Sequence, residues 1–124
     1  MRIILDTGVF FRKQALLNAE ARHEPLIVPA IVFAERLRQV AARGISAQRL
    51  AREIERFGGH IEPFGPTQAA RFVPGLADLP RRQWQRLARD AMIAGHLRDG
   101  DELWTTNVGD FEEIGVEKGR IVGV

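Results

Sequence analysis

Pro25-Leu26-Ile27-Val28-Pro29-Ala30-Ile31-Val32-Phe33-Ala34-Glu35 joins an apolar strand directly to a helix. Residues 25–28 read as a short buried strand. Pro29 suits the first turn of a helix, where its missing N–H costs nothing. That helix is predicted to run to about Arg43 and to stop at Gly44, a residue type that favours helix ends. Upstream, residues 2–5 read as a strand ending at Asp6, and residues 9–22 as a helix with Phe10, Phe11, Leu16 and Leu17 as its apolar positions. Downstream, Ser46 is a candidate N-cap for a helix over 47–57. Residues 60–63 read as a third strand, and 67–73 as a helix interrupted at Pro74-Gly75. Residues 76–82 show no clear pattern. A helix over 83–98, a strand over 102–105, a short helix opened by Asn107 and a strand over 120–123 complete the chain. Short strands alternating with helices predict an α/β fold with a mainly parallel sheet, in which ligands gather at the carboxyl ends of strands. Asp6 and the segment 105–110 lie at such ends.

The 124 residues fit one domain, 1–124, and 45% hydrophobic content supplies one core. No window is apolar enough to span a membrane, and Asp6 cuts the N-terminal apolar run too early for a signal peptide, so a cytoplasmic location is expected. With 0 cysteines, disulfides, thiol catalysis and thiolate metal sites are excluded. The net charge is only +2, yet 16 of the 18 basic residues are arginine, the better bidentate partner for phosphate. If four of the 16 acids share one pocket, the 18 basic residues leave the rest of the chain at +6.

Four acids stand apart from the solvated majority, a majority taken to include Asp99, Asp101, Glu112 and Glu113. Asp6 follows Ile3-Ile4-Leu5 and also reads as a helix N-cap. Glu35 follows the uncharged run Leu26 to Ala34 and also reads as an intrahelical partner of Arg38. Asp90 lies on the stripe Trp84, Leu87, Ala91, Ala94 and Leu97, with Arg86 as an alternative partner one turn away. Asp110 follows Asn107 at a spacing that resembles a capping box. Carboxylates gathered in one place take up protons unless a cation joins them. Hard divalent cations with oxygen ligands are the natural counter-charge, whereas His23, His60 and His96 lack ligand spacing for zinc.

Four segments resemble motifs of PIN-domain ribonucleases, in the family's order and across nearly the whole chain. They are Leu5-Asp6-Thr7-Gly8-Val9, the segment Val28 to Glu35 quoted above, Asp90-Ala91-Met92-Ile93-Ala94-Gly95, and Thr105-Thr106-Asn107-Val108-Gly109-Asp110-Phe111. Size and motif style are most similar to the VapC toxins of toxin–antitoxin pairs. The resemblance implies a Rossmann-like, three-layer sandwich and Mg²⁺- or Mn²⁺-dependent cleavage of RNA by a homodimer that a cognate antitoxin inhibits. It implies Asp6, Glu35, Asp90 and Asp110 as the metal-holding, catalytic quartet, with Thr7, Thr105 and Asn107 in support. Gly8 departs from the usual Ser or Asn, and Gly95-His96 from a usual small apolar pair.

Arg49, Arg52 and Arg56 share a helix stripe, while Arg81, Arg82, Arg86 and Arg89 precede Asp90. These are candidate RNA or antitoxin contacts, or a solvated face. A PIN-like module without metal, binding nucleic acid or protein, is the alternative that Gly8 keeps open. Phosphotransfer proteins fit poorly. Asp6 has no acidic neighbour of the receiver type, the only late lysine is Lys118, and position 8 is glycine where Asp-x-Asp phosphatases need an acid.

Overall fold

The computed structural model describes residues 1–124. Strands β1 (Ile3–Leu5), β2 (Leu26–Pro29), β3 (Gly59–Glu62), β4 (Glu102–Thr105) and β5 (Ile121–Gly123) form one sheet in the order β3-β2-β1-β4-β5. Every neighbouring pair is parallel, so the mainly parallel expectation is exceeded. The helices flanking it are α1 (Lys13–Ala21), α2 (Ala30–Ala41), α3 (Ala47–Arg56), α4 (Pro66–Phe72), α5 (Arg81–Ala94) and α6 (Val108–Glu113). None is long and apolar enough to cross a membrane. Ile3, Ile4 and Leu5 on the central strand are fully buried, as continuous apolar strands of a covered parallel sheet must be. Successive strands leave β1 toward β3 on one side and resume at β4 on the other. The winding therefore reverses between β1 and β4, and the carboxyl ends of those two strands flank the crevice where such sheets hold ligands.

The strand–helix junction forms where it is read, with Pro29 as the last residue of β2 and the N-cap of α2 rather than in its first turn. So does the stop after α2, where Gly44 takes φ +79°, and the Ser46 cap, whose Oγ accepts from Arg49 N at 3.2 Å. The helix expected over 9–22 divides. Thr7–Phe11 is a 3₁₀ turn, with α1 beginning at Lys13. β-Branched Thr7 and Val9 around Gly8 are poor α-helix formers, and Asp6 holds the turn by accepting from Thr7 N at 2.7 Å. Phe11 and Leu17, read as apolar positions of that helix, are exposed.

The helix expected over 83–98 is shifted to Arg81–Ala94 and capped at Gly95. Arg71 Nη1 donates to both Gly95 O and Leu97 O at 2.7 Å, satisfying carbonyls beyond the helix end. Leu87, Ala91 and Ala94 are buried as their spacing predicts, but Trp84 is exposed and Leu97 lies past the helix. Glycine at 95 has a packing reason: a Cβ there would stand 2.3 Å from the Gln68 carbonyl oxygen of α4. Gly95→Ala is therefore expected to separate α4 from α5 and to destabilise the protein by about 1–3 kcal/mol, as overpacking does. A shift in the urea midpoint checks this, and an unchanged midpoint would show that α4 yields freely.

Asp101, expected to be solvated, is buried. It accepts from Arg2 Nε at 3.0 Å and from Arg2 Nη2 at 2.9 Å. Arg2 also bridges to Glu62 at 2.7 Å, and His96 Nδ1 meets Glu62 Oε1 at 2.7 Å. Burial lowers the His96 pKa against the pull of Glu62, so the ring is neutral at pH 7 and Nδ1–H donates. His96 is thus a structural core residue, in keeping with its position off the face of Asp90.

Candidate active site

The sheet continues one residue past β1, because Asp6 N donates to Trp104 O at 3.0 Å. That bond fixes Asp6 at the β1–β4 crevice, with its side chain buried. Thr105, the last residue of β4, donates its hydroxyl to Asp6 Oδ2 at 2.6 Å and accepts from Asn107 N at 2.9 Å. Thr7 donates its hydroxyl to Glu35 Oε1 at 2.7 Å, tying the turn after β1 to α2. Asp90, on the buried side of α5, completes the approach. Three acids separated widely in the chain thus meet at one sheet end, Asp6 from the end of β1, Glu35 from α2 and Asp90 from α5.

They meet around a guanidinium. Arg89 Nε donates to Glu35 Oε2 at 2.6 Å, Nη1 to Asp90 Oδ1 at 2.6 Å, and Nη2 to Asp6 Oδ1 at 2.8 Å. Nη2 also reaches Thr7 Oγ1 at 2.9 Å. Arg89, grouped above with the candidate RNA or antitoxin contacts, is instead the internal counter-ion of the acids. No group of three or more Asp, Glu, His or Cys side chains is arranged to hold a metal ion. Neither alternative partner forms. Glu35 bonds Arg89 and Thr7 rather than Arg38, and Asp90 bonds Arg89 rather than Arg86. The charges alone predict that some cation joins the carboxylates, but of Arg81, Arg82, Arg86 and Arg89, all close before Asp90 in the chain, only the fold shows that Arg89 is the one.

Asp110 stands at the rim. Asn107 Nδ2 donates to its Oδ2 at 2.8 Å, and Arg86 Nη1 to its Oδ1 at 3.3 Å. The expected Asn107 side-chain cap is absent, and the amide serves the carboxylate instead. Arg86 also binds Glu113 at 2.8 Å, so two carboxylates hold it. Arg49 forms an exposed pair with Glu53, and Arg52 and Arg56 enter no ion pair. Gly8 also has a local cause: a Cβ at position 8 would stand 2.2 Å from Thr106 Oγ1. The hydroxyl of Thr106 occupies the space that a Cβ at position 8 would need.

The electrostatics follow from burial and crowding. Asp90 is pushed up to about 6, first by desolvation and then by the charges of Asp6 and Asp110, with Arg89 opposing. Burial also acts to raise Glu35, but hydrogen bonds from Arg89 and Thr7 outweigh it and hold that carboxyl below its usual range. Burial disfavours the Arg89 cation, and its bonds to Glu35 and Asp6 more than compensate, so its pKa is raised.

The donor set is entirely oxygen: two aspartates, a glutamate and two threonine hydroxyls. Such donors suit Mg²⁺ or Mn²⁺ and not a soft metal. They fit a hard divalent cation on one condition, that the partly exposed Arg89 side chain withdraws from between the carboxylates. Compared with protein-family models and with curated proteins, the chain matches neither.

Proposed function

We propose that the protein is a PIN-like, Mg²⁺- or Mn²⁺-dependent endoribonuclease, of the kind that serves as the toxin of a VapBC-type pair. The observation that carries the reading is the meeting of Asp6, Glu35 and Asp90 at the β1–β4 crevice. Their places in the chain coincide with the motif acids of that family. Asp6 and Asp90, with Asp110 from the rim, would hold the cation. A cation held there would lower the pKa of a water molecule and neutralise charge on the phosphoryl transition state. Thr105 orients Asp6 through its 2.6 Å bond, and Thr7 orients Glu35. Glu35 positions the attacking water and takes its proton. It is a weak base while Arg89 donates to it, and it gains basicity when that bond opens.

Homodimerisation and inhibition by an antitoxin belong to this proposal. Hydrolysis of single-stranded RNA by the purified protein, followed with Mg²⁺, with Mn²⁺ and with chelator, tests it. Cleavage is expected only with metal. Cleavage indifferent to chelation would reject the mechanism, and absence of cleavage under every condition would favour the metal-free binding module.

A further inference from the structure

We propose that Phe11 and Arg36 form a stacking platform for an unpaired nucleobase of RNA, beside the acid site. The inference rests on the nuclease reading and deepens it by naming a substrate contact.

Phe11 is the most exposed of the large apolar side chains, at 61%. It is the last residue of the 3₁₀ turn that starts at Thr7, in which Val9 is buried while Phe11 is exposed. Phe10, its neighbour, packs against Phe57 and the core, with ring centroids 6.0 Å apart. Phe11 has no such anchor. What covers it is the Arg36 guanidinium, centred 5.2 Å from the Phe11 ring and 5.9 Å from the Phe10 ring. Arg36 bonds only the amide oxygen of Gln39, at 3.3 Å, and pairs with no carboxylate. An exposed ring and a planar cation with no carboxylate in direct contact are thus held together. They stand next to the site in the chain, since Arg36 follows Glu35 on α2 and the Phe11 turn begins beside Asp6.

This pairing selects among occupants. An apolar protein segment seated on Phe11 would bury the Arg36 charge with no carboxylate in contact with it, at a desolvation cost. A nucleobase offers a π-face to both the ring and the guanidinium, and its backbone phosphate meets the charge. Base stacking on an aromatic ring tolerates any sequence and requires that the base be unpaired. The platform therefore favours single strands over duplex.

The test is binding of a fluorescein-labelled single-stranded RNA, read by anisotropy in chelator so that no cleavage intervenes. Phe11→Ala is expected to weaken binding about ten- to a hundredfold and Phe11→Trp to preserve it, as loss or retention of one stacked base predicts. Arg36→Ala is expected to weaken it as well, and binding of a blunt duplex should be unchanged by Phe11→Ala. Equal single-strand affinity for wild type and Phe11→Ala, or no wild-type binding, would overturn the platform. So would Phe11→Leu binding as tightly as Phe11→Trp, because bare apolarity would then suffice. A change of oligomeric state in Phe11→Ala with RNA affinity intact would assign the ring to a protein interface instead. Metal-dependent cleavage is a separate assay on wild-type protein, so failure of the nuclease reading and failure of the platform are distinguishable.

Discussion

Replacing Arg89 with methionine is expected to destabilise the chelator-treated protein by about 2 kcal/mol, below the usual cost of breaking a buried ion pair because the arginine is partly exposed. For a chain of this size that is a fall of roughly 5–10 °C in thermal midpoint. The cause is specific. Asp6 and Asp90 are buried and Glu35 is half-buried, and one guanidinium serves all three at 2.6–2.8 Å. Without it three carboxylates repel at close range, and the least costly response is uptake of a proton or of another cation. Methionine keeps much of the apolar stem and removes only the charge. Added Mn²⁺ or Mg²⁺ is therefore expected to raise the midpoint of Arg89→Met markedly, and that of wild type less, because in wild type the cation must displace an arginine that makes four hydrogen bonds. Calorimetric titration of the two proteins gives the same comparison as affinities. If Mn²⁺ stabilises both equally, Arg89 does not compete for the site. If it stabilises neither, the carboxylates bind no cation, and Arg89 is a permanent structural counter-ion.

How much of this was legible beforehand follows the physics of each feature. Strand β1 and the β2–α2 junction were readable because continuous apolar residues and a proline at a helix start are local signals. The end of α5 was not, because Gly95 keeps helical dihedrals and is glycine for a reason lying in α4, where the Gln68 carbonyl leaves no room for a Cβ. Residues 9–11 read as the start of a helix because their apolar content suits either state, and the Asp6-capped turn Thr7–Phe11 takes them instead. Asp6, Glu35 and Asp90 were visible as acids in apolar company. Their counter-ion was not, since a long arginine side chain reaches several elements and its sequence neighbours do not say which. Asp101 was misplaced for the same reason: Asp99, Gly100 and Asp101 look solvated together, and only the fold brings Arg2 over the last of them.

Asp90→Asn is expected to make the protein more stable and less active at the same time. With its pKa raised to about 6, Asp90 holds a proton in the folded state at pH values where the unfolded chain has released it. Its ionisation therefore opposes folding. The penalty is absent below about pH 4, near the ordinary aspartate value, grows as pH rises toward 6, and is complete above that. Asparagine removes it. At pH 7.5 in chelator the variant should exceed wild type by on the order of 1–3 kcal/mol, with the advantage shrinking toward zero near pH 4. Urea midpoints of the two proteins across this range measure it. Hydrolysis of RNA should move the other way, falling by about a hundredfold or more, the usual cost of deleting one preorganised electrostatic group from an active site. Carboxylates kept together against their own repulsion are what a site poised for a cation requires, and stability is what it gives up. A variant less stable than wild type at pH 7.5 would mean that Asp90 chiefly supports Arg89, whose Nη1 lies 2.6 Å away. A more stable variant that still hydrolyses RNA at the wild-type rate would remove Asp90 from the catalytic machinery and leave its burial without a chemical purpose.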